Sequence, residues 1–196
     1  MITRREFIRK STVGTLGLMV LPTIVPSYVF GKEAPSNRIN VAMIGCGRQA
    51  INPNIPQFLK SEAGQILAVC DVDKWRLDNA VKQVNEGYSK RNGFTYKGCK
   101  AYSDFREVLA SKEIDAVMVS VPDHWHVPIA IEAAKAGKHV SLEKPISTCI
   151  AHGRRLVEVL KKHPVITRND SEFRTLPKFS RAVELVRNGR IGKVQR

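Results

Sequence analysis

The sequence predicts a doubly wound α/β fold, a parallel sheet covered by helices on both faces. Short apolar runs alternate with stretches of helical periodicity along most of the chain. The runs are near-continuously hydrophobic, as strands buried on both faces require. Glycines stand where helices should close, at Gly137 and Gly189. In such folds ligands bind at the carboxyl ends of the strands, so candidate site residues are expected there.

Taken in order, residues 1–31 read as a targeting segment, 32–37 as a polar linker, 38–168 as the α/β domain and 169–196 as a crossing into a second domain. The first apolar run, residues 39–44, ends in Gly45, and the second, residues 65–70, ends in Asp71. Leu77, Ala80, Val81 and Val84 recur at helical spacing and predict a helix over about 74–86. Residues 88–98 read as a polar loop, and Ser103 or Asp104 caps a helix running to Ser111. Residues 115–121 form a buried-type strand halted by Pro122. Ile129, Ala130, Ala133 and Ala134 mark the next helix, which Gly137 closes. Strands at 139–142 and 165–167 and helices at 151–162 and 179–188 complete the pattern.

Composition is that of a soluble globular protein, with 43% hydrophobic and 26% charged residues. The net charge of +14 raises the question of nucleic acid. Outside Arg4, Arg5, Arg9 and Lys10, however, the cations are scattered as Lys90-Arg91, Arg154-Arg155, Lys161-Lys162 and a group from Arg187 onward. No basic stripe with interleaved aromatics forms, so the chain is read as no nucleic-acid binder. A groove for an anionic dinucleotide accounts for part of the excess.

The pair Arg4-Arg5, with Phe7, precedes an uncharged, mildly hydrophobic stretch over residues 11–30. This reads as a twin-arginine export signal, which implies an export translocase as partner and a periplasmic or exported destination. Gly14, Gly17, Pro22 and Pro26 make the stretch a poor membrane span. Val29-Phe30-Gly31 is only a fair cleavage site; left uncleaved, the segment would serve as an anchor. Cys46, Cys70, Cys99 and Cys149 show no metal-ligand spacing. Cys46 and Cys70 fall in or beside strand patterns, where cysteine acts as a small hydrophobe.

Three segments at strand ends carry chemistry. Gly45-Cys46-Gly47-Arg48-Gln49-Ala50 is a G-x-G-x-x-A turn directly after the first strand, and Asp71 ends the next strand 21 residues after Ala50. Gly45 permits the tight turn, and Gly47 lets backbone amides approach a pyrophosphate. Asp71 can accept hydrogen bonds from the adenosine ribose hydroxyls. The implied cofactor is NAD. NADP is the lesser candidate, because Asp71 repels a 2′-phosphate while Arg48 and Arg76 soften that preference. Pro53 and Pro56 fall where the phosphate-binding helix should run, so the loop is expected to lengthen and the helix to start near one of them. The second segment is Pro122-Asp123-His124-Trp125-His126, with Asp123 as a candidate helix cap and Trp125 as a packing group. Its two histidines lack a third ligand nearby, so no metal is expected. The third, Glu143-Lys144-Pro145, places a lysine over the cleft, where it can stabilise an oxyanion as hydride leaves the substrate. On chemistry alone a solvated Glu-Lys pair is the simpler reading.

The order of these segments resembles the glucose–fructose oxidoreductase, inositol dehydrogenase and rhizopine-catabolism (Gfo/Idh/MocA) family. The resemblance covers residues 38–196, and the block SVPDHWHVPIAIEAAKAGKHVSLEKP carries most of it. It implies an oxidoreductase that uses NAD or NADP to act on sugars, inositols or related polyols, and a homo-oligomer for the longer protein. It also implies that Lys144 approaches the nicotinamide and the reacting hydroxyl, that Pro145 follows a cis peptide bond, and that Pro122, Asp123 and His126 line the nicotinamide side. Glu172 to Arg174, with Pro177, resemble the crossing into the substrate domain, and Gly189 to Val194 resemble the entry to its open sheet. The family's second domain, with its catalytic histidine and acid, would lie beyond Arg196, so the 196 residues alone are expected to be inactive. Some relatives hydrolyse glycosides with NAD. Those tend to lack the lysine of Glu-Lys-Pro, and this chain keeps Lys144.

Overall fold

The computed structural model describes residues 37–171, 173 and 176–195. Residues 1–31, read above as an export signal, and most of the expected linker lie outside the described residues, as do Glu172 and Arg174 of the expected crossing.

Six strands form one parallel sheet: β1 (Ile39–Ile44), β2 (Gly64–Cys70), β3 (Lys100–Tyr102), β4 (Ala116–Val119), β5 (His139–Leu142) and β6 (Thr167–Asn169). Their spatial order is β3-β2-β1-β4-β5-β6. The chain therefore builds outward from β1 to one edge and then returns to build the other half from β4. The carboxyl ends of β1 and β4 flank the point where the direction reverses, and there the connections part to leave a crevice.

Side-chain alternation splits β1 between two cores. Ala42 and Ile44 join Val117, Val119, Val140 and Leu142 on one face, under α4 (Asp123–Lys135) and α5 (Ile150–Lys162). Val41 and Met43 join Ile66, Val69 and Met118 on the other, under α1 (Ile55–Leu59) and α2 (Lys74–Asn92). The short α3 (Phe105–Ala110) adds Val108 and Leu109 to the first core. Each fully buried Val, Ile, Leu or Met contributes roughly 1.5–3 kcal/mol, so these two faces dominate stability.

Several boundaries differ from the sequence reading. Helix α2 runs to Asn92, so residues 88–92 are helical rather than loop, and Gly93 (φ 73°) closes them. Tyr88 is the cause: one turn past Val84 it turns into the core, and its hydroxyl accepts the Ile66 amide at 2.7 Å. Edge strand β3 carries no buried residue, and its pattern marked no strand. At the other edge β6 starts two residues later than expected, at Thr167. Asp104, not Ser103, caps α3 by accepting the Arg106 amide. Asp123 is the first residue of α4 rather than its cap; Pro122 holds the cap position without a side-chain bond.

The prolines after the glycine turn do not delay the helix. Helical turns begin at Arg48, and Ala50–Asn54 widens into a π turn that contains Pro53 and closes with Ile55 N–H donating to Ala50 O. In an α turn the Pro53 ring would collide with the carbonyl four residues back; the wider turn moves that carbonyl aside. Pro56 then sits in the first turn of α1, where it is tolerated. The last helix, α6 (Pro177–Arg187), buries none of its residues.

Candidate cofactor and active site

A cleft of about 980 Å³ opens at the crevice between the ends of β1, β2, β4 and β5. Of the residues singled out from sequence, Gly45, Gly47, Arg48, Gln49, Asp71, Pro122, Asp123, His126, Glu143 and Lys144 line it. Ala50 does not. It is fully buried against the strands, because the third small residue of such a turn serves close helix–sheet packing.

The two glycines differ in what they do. Gly45 has φ +91°, and a Cβ there would lie 2.5 Å from Ser120 O. It lets β1 turn sharply against the end of β4. At Gly47 the nearest atom to a Cβ would be Arg76 Nη1 at 3.8 Å. Among the described residues nothing requires glycine there, so the open space above the backbone fits a ligand's close approach. That cradle, at the start of a helical turn that lines the cleft, fits the pyrophosphate of a dinucleotide.

Asp71 is already engaged. Its Oδ2 accepts the Cys46 amide at 2.7 Å and its Oδ1 accepts the Asp73 amide at 2.9 Å. The carboxylate thus fixes the glycine turn, and its remaining lone pairs are left for ribose hydroxyls. Asp73 caps α2 by accepting the Arg76 amide, and Arg76 reaches back toward Gly47. Burial, with the Asp71 charge beside it, pushes the Cys46 thiol up to about 12. Cys46 is therefore a neutral packing group and no nucleophile.

At the other end of the cleft, Glu143 is 5% exposed, and its Oε1 accepts from both Gln49 Nε2 and Asn54 Nδ2 at 3.0 Å. Its Oε2 accepts the Lys144 amide at 3.3 Å. Lys144 is exposed over the cleft, and the Lys144–Pro145 bond is cis. This is no solvated Glu-Lys pair: the carboxylate is buried and held by three donors. His126 is 1% exposed, with Nδ1 2.6 Å from Pro145 O and Nε2 3.0 Å from Val121 O. It binds the two strand-end loops together. Trp125 packs edge-on against Phe105, 44% exposed. Asn54 and Ser120, joined by a 3.0 Å hydrogen bond, were invisible to motif reading, because only the π turn brings Asn54 over the strand ends. Among the described residues no three His, Cys, Asp or Glu side chains gather as a metal site.

Sheet order, glycine cradle and Asp71 together define a dinucleotide-binding Rossmann domain. The family model for the Gfo/Idh/MocA oxidoreductases, described as an NAD-binding Rossmann fold, matches residues 39–170. The chain belongs to that family. It is 29% identical over 157 residues to an uncharacterized oxidoreductase of Rhizobium meliloti, covering 80% of this chain and 43% of that protein. It is 27% identical over 175 residues to a glycosyl hydrolase family 109 protein of Shewanella baltica, covering 82% of this chain and 37% of the other. The chain thus spans less than half the length of these curated relatives. Among solved structures, scyllo-inositol dehydrogenase from Lactobacillus casei with bound NAD(H) and scyllo-inositol superimposes with a TM-score of 0.64 at 25% identity, over 80% of this chain and 43% of that one.

Proposed function

We propose that the protein is an NAD-dependent oxidoreductase acting on a sugar, an inositol or a related polyol, exported through a twin-arginine signal and working as a homo-oligomer. The observation that carries the catalytic reading is Lys144, exposed over the cleft on a turn whose preceding carboxylate is buried and triply bonded. The relative that binds scyllo-inositol supports the substrate class. Bound NAD supplies the hydride acceptor. The residues of this chain supply one side of the site. Gly45, Gly47 and the helical turn from Arg48 seat the pyrophosphate, and Asp71 receives the ribose hydroxyls. Pro122, Asp123 and the loop braced by His126 bound the nicotinamide side. The Lys144 ammonium holds the substrate oxygen and stabilises negative charge as it develops there.

Substrate-dependent NADH formation across a panel of inositols and sugars tests this reading in the full-length protein. Lys144→Ala should lower kcat on the order of 10²–10³-fold, as for other lost oxyanion donors, with cofactor affinity nearly unchanged. Unaltered kcat would refute the lysine's role. The family 109 relatives support a second reading, glycoside hydrolysis with NAD recycled in place. Release of free sugar from a glycoside without net NADH would establish it instead. Cytoplasmic retention after Arg4 and Arg5 are both changed to lysine would test the export route.

A further inference from the structure

Asn54 belongs to no motif, yet its surroundings are costly to build. It is 8% exposed at the end of the π turn, and its amide nitrogen donates both protons, one to Ser120 Oγ and one to Glu143 Oε1, each at 3.0 Å. Gln49, earlier in the same helical segment, donates to the same Glu143 oxygen. The other Glu143 oxygen accepts the amide of Lys144. One buried carboxylate is thus gripped by two residues of the glycine-turn helix and bonded to the backbone of the lysine turn. A buried polar cluster is worse than an apolar one unless every member is satisfied; here each of these bonds is made. Gln49, Ser120, Glu143 and Lys144 line the cleft, with Asn54 behind them.

We propose that Asn54 is a positioning residue: through Glu143 it ties the turn that seats the pyrophosphate to the Lys144–Pro145 turn, and so sets the nicotinamide end of the site. This rests on the cofactor reading of the cleft. It goes beyond that reading because it assigns the irregular turn a purpose. The extra residue of the π turn directs Asn54 inward over the strand ends, where its two protons meet two acceptors. Aspartate could not substitute, since its carboxylate would face that of Glu143.

The test compares NAD⁺ with ADP-ribose, which keeps the adenosine, pyrophosphate and second ribose but lacks the nicotinamide. Calorimetry on the 196-residue chain with Asn54→Leu should show NAD⁺ weakened about tenfold, the size of one hydrogen bond to a charged group, and ADP-ribose changed less than twofold. Equal weakening of both would mean that Asn54 only supports the glycine turn, and no change in either would mean that it does nothing; both results overturn the proposal. Should Asn54→Leu fail to fold, a second pair of variants decides. Asn54→Asp should weaken NAD⁺ selectively, and Asn54→Asp with Glu143→Gln, which reverses donor and acceptor, should recover about tenfold over the single variant. Failure to recover overturns the proposal. If the unsubstituted chain binds neither ligand, the cofactor reading itself falls, an outcome distinct from normal binding that is indifferent to Asn54.

Discussion

Asp71 does two jobs with one carboxylate, fixing the Cys46 and Asp73 amides while keeping lone pairs for a ribose. Asp71→Ala should weaken NAD by ~1–3 kcal/mol, the cost of hydrogen bonds lost at a charged acceptor, as read by calorimetric titration. The unsubstituted chain should prefer NAD to NADP in the same titration; tighter NADP binding would contradict the role given to Asp71. The thiols offer a second residue-scale check. Burial pushes Cys46, Cys70 and Cys99 up to about 12, whereas Cys149 is exposed. A thiol-specific disulfide reagent should therefore label Cys149 alone in the native chain and all four cysteines after denaturation. Asp170 supplies a pH signature. Partial burial raises its carboxyl above the ordinary aspartate range, Arg168 opposes the rise and Glu143 adds to it. Between the ordinary and the raised value the folded chain holds more protons than the unfolded one, so this group's contribution to stability falls as pH rises through that window. Asp170→Asn should flatten that slope in thermal melts taken on either side of the window.

At the scale of elements, the glycine turn and its π-helical continuation act as one device with separable parts. Gly45→Ala forces a side chain into left-handed backbone and against Ser120 O. It should destabilise the fold on the order of 2–5 kcal/mol, visible as a large drop in Tm. Gly47→Ala meets nothing among the described residues closer than 3.8 Å, so its Tm should stay near that of the unsubstituted chain. Its NAD affinity should nevertheless fall, because the added methyl occupies the approach of the pyrophosphate. Equal effects of the two substitutions on stability would mean that the cradle has been misread. The same device explains the prolines: Pro53 is compatible with the helix only because the turn widens, and that widening delivers Asn54 to Glu143.

Across the whole molecule, two well-packed faces contrast with a bare C-terminal stretch. Phe173, Leu176, Phe179, Val183, Val186, Ile191 and Val194 are all at least 38% exposed, and Phe173 and Phe179 stack on each other at 5.1 Å. An apolar surface of that kind favours association. The 196-residue chain should bind an apolar fluorescent dye and self-associate with concentration, as measured by sedimentation velocity. Phe179→Glu together with Val183→Lys should reduce both without lowering Tm, since neither side chain is buried. A monomer that ignores the dye would show that this surface is covered within the chain.

The sequence by itself determined the sheet's class, five of its six strands and a set of site residues of which all but Ala50 line the cleft, because those features are local. Buried parallel strands need continuous apolar runs, tight turns need glycine, and a ribose acceptor needs a carboxylate at a strand end. It missed β3, whose three residues owe their place to pairing with β2 rather than to hydrophobicity. It also ended α2 early, because Tyr88 reads as polar until Ile66 is seen to need its hydroxyl. Only the tertiary structure decided that Glu143 is a buried, triply held carboxylate rather than a solvated partner of its neighbour, and that Gln49 and Asn54 are among the groups that hold it. Those bonds join residues 89 and 94 positions apart, and no local pattern encodes a contact that exists only once β1, β4 and β5 lie side by side.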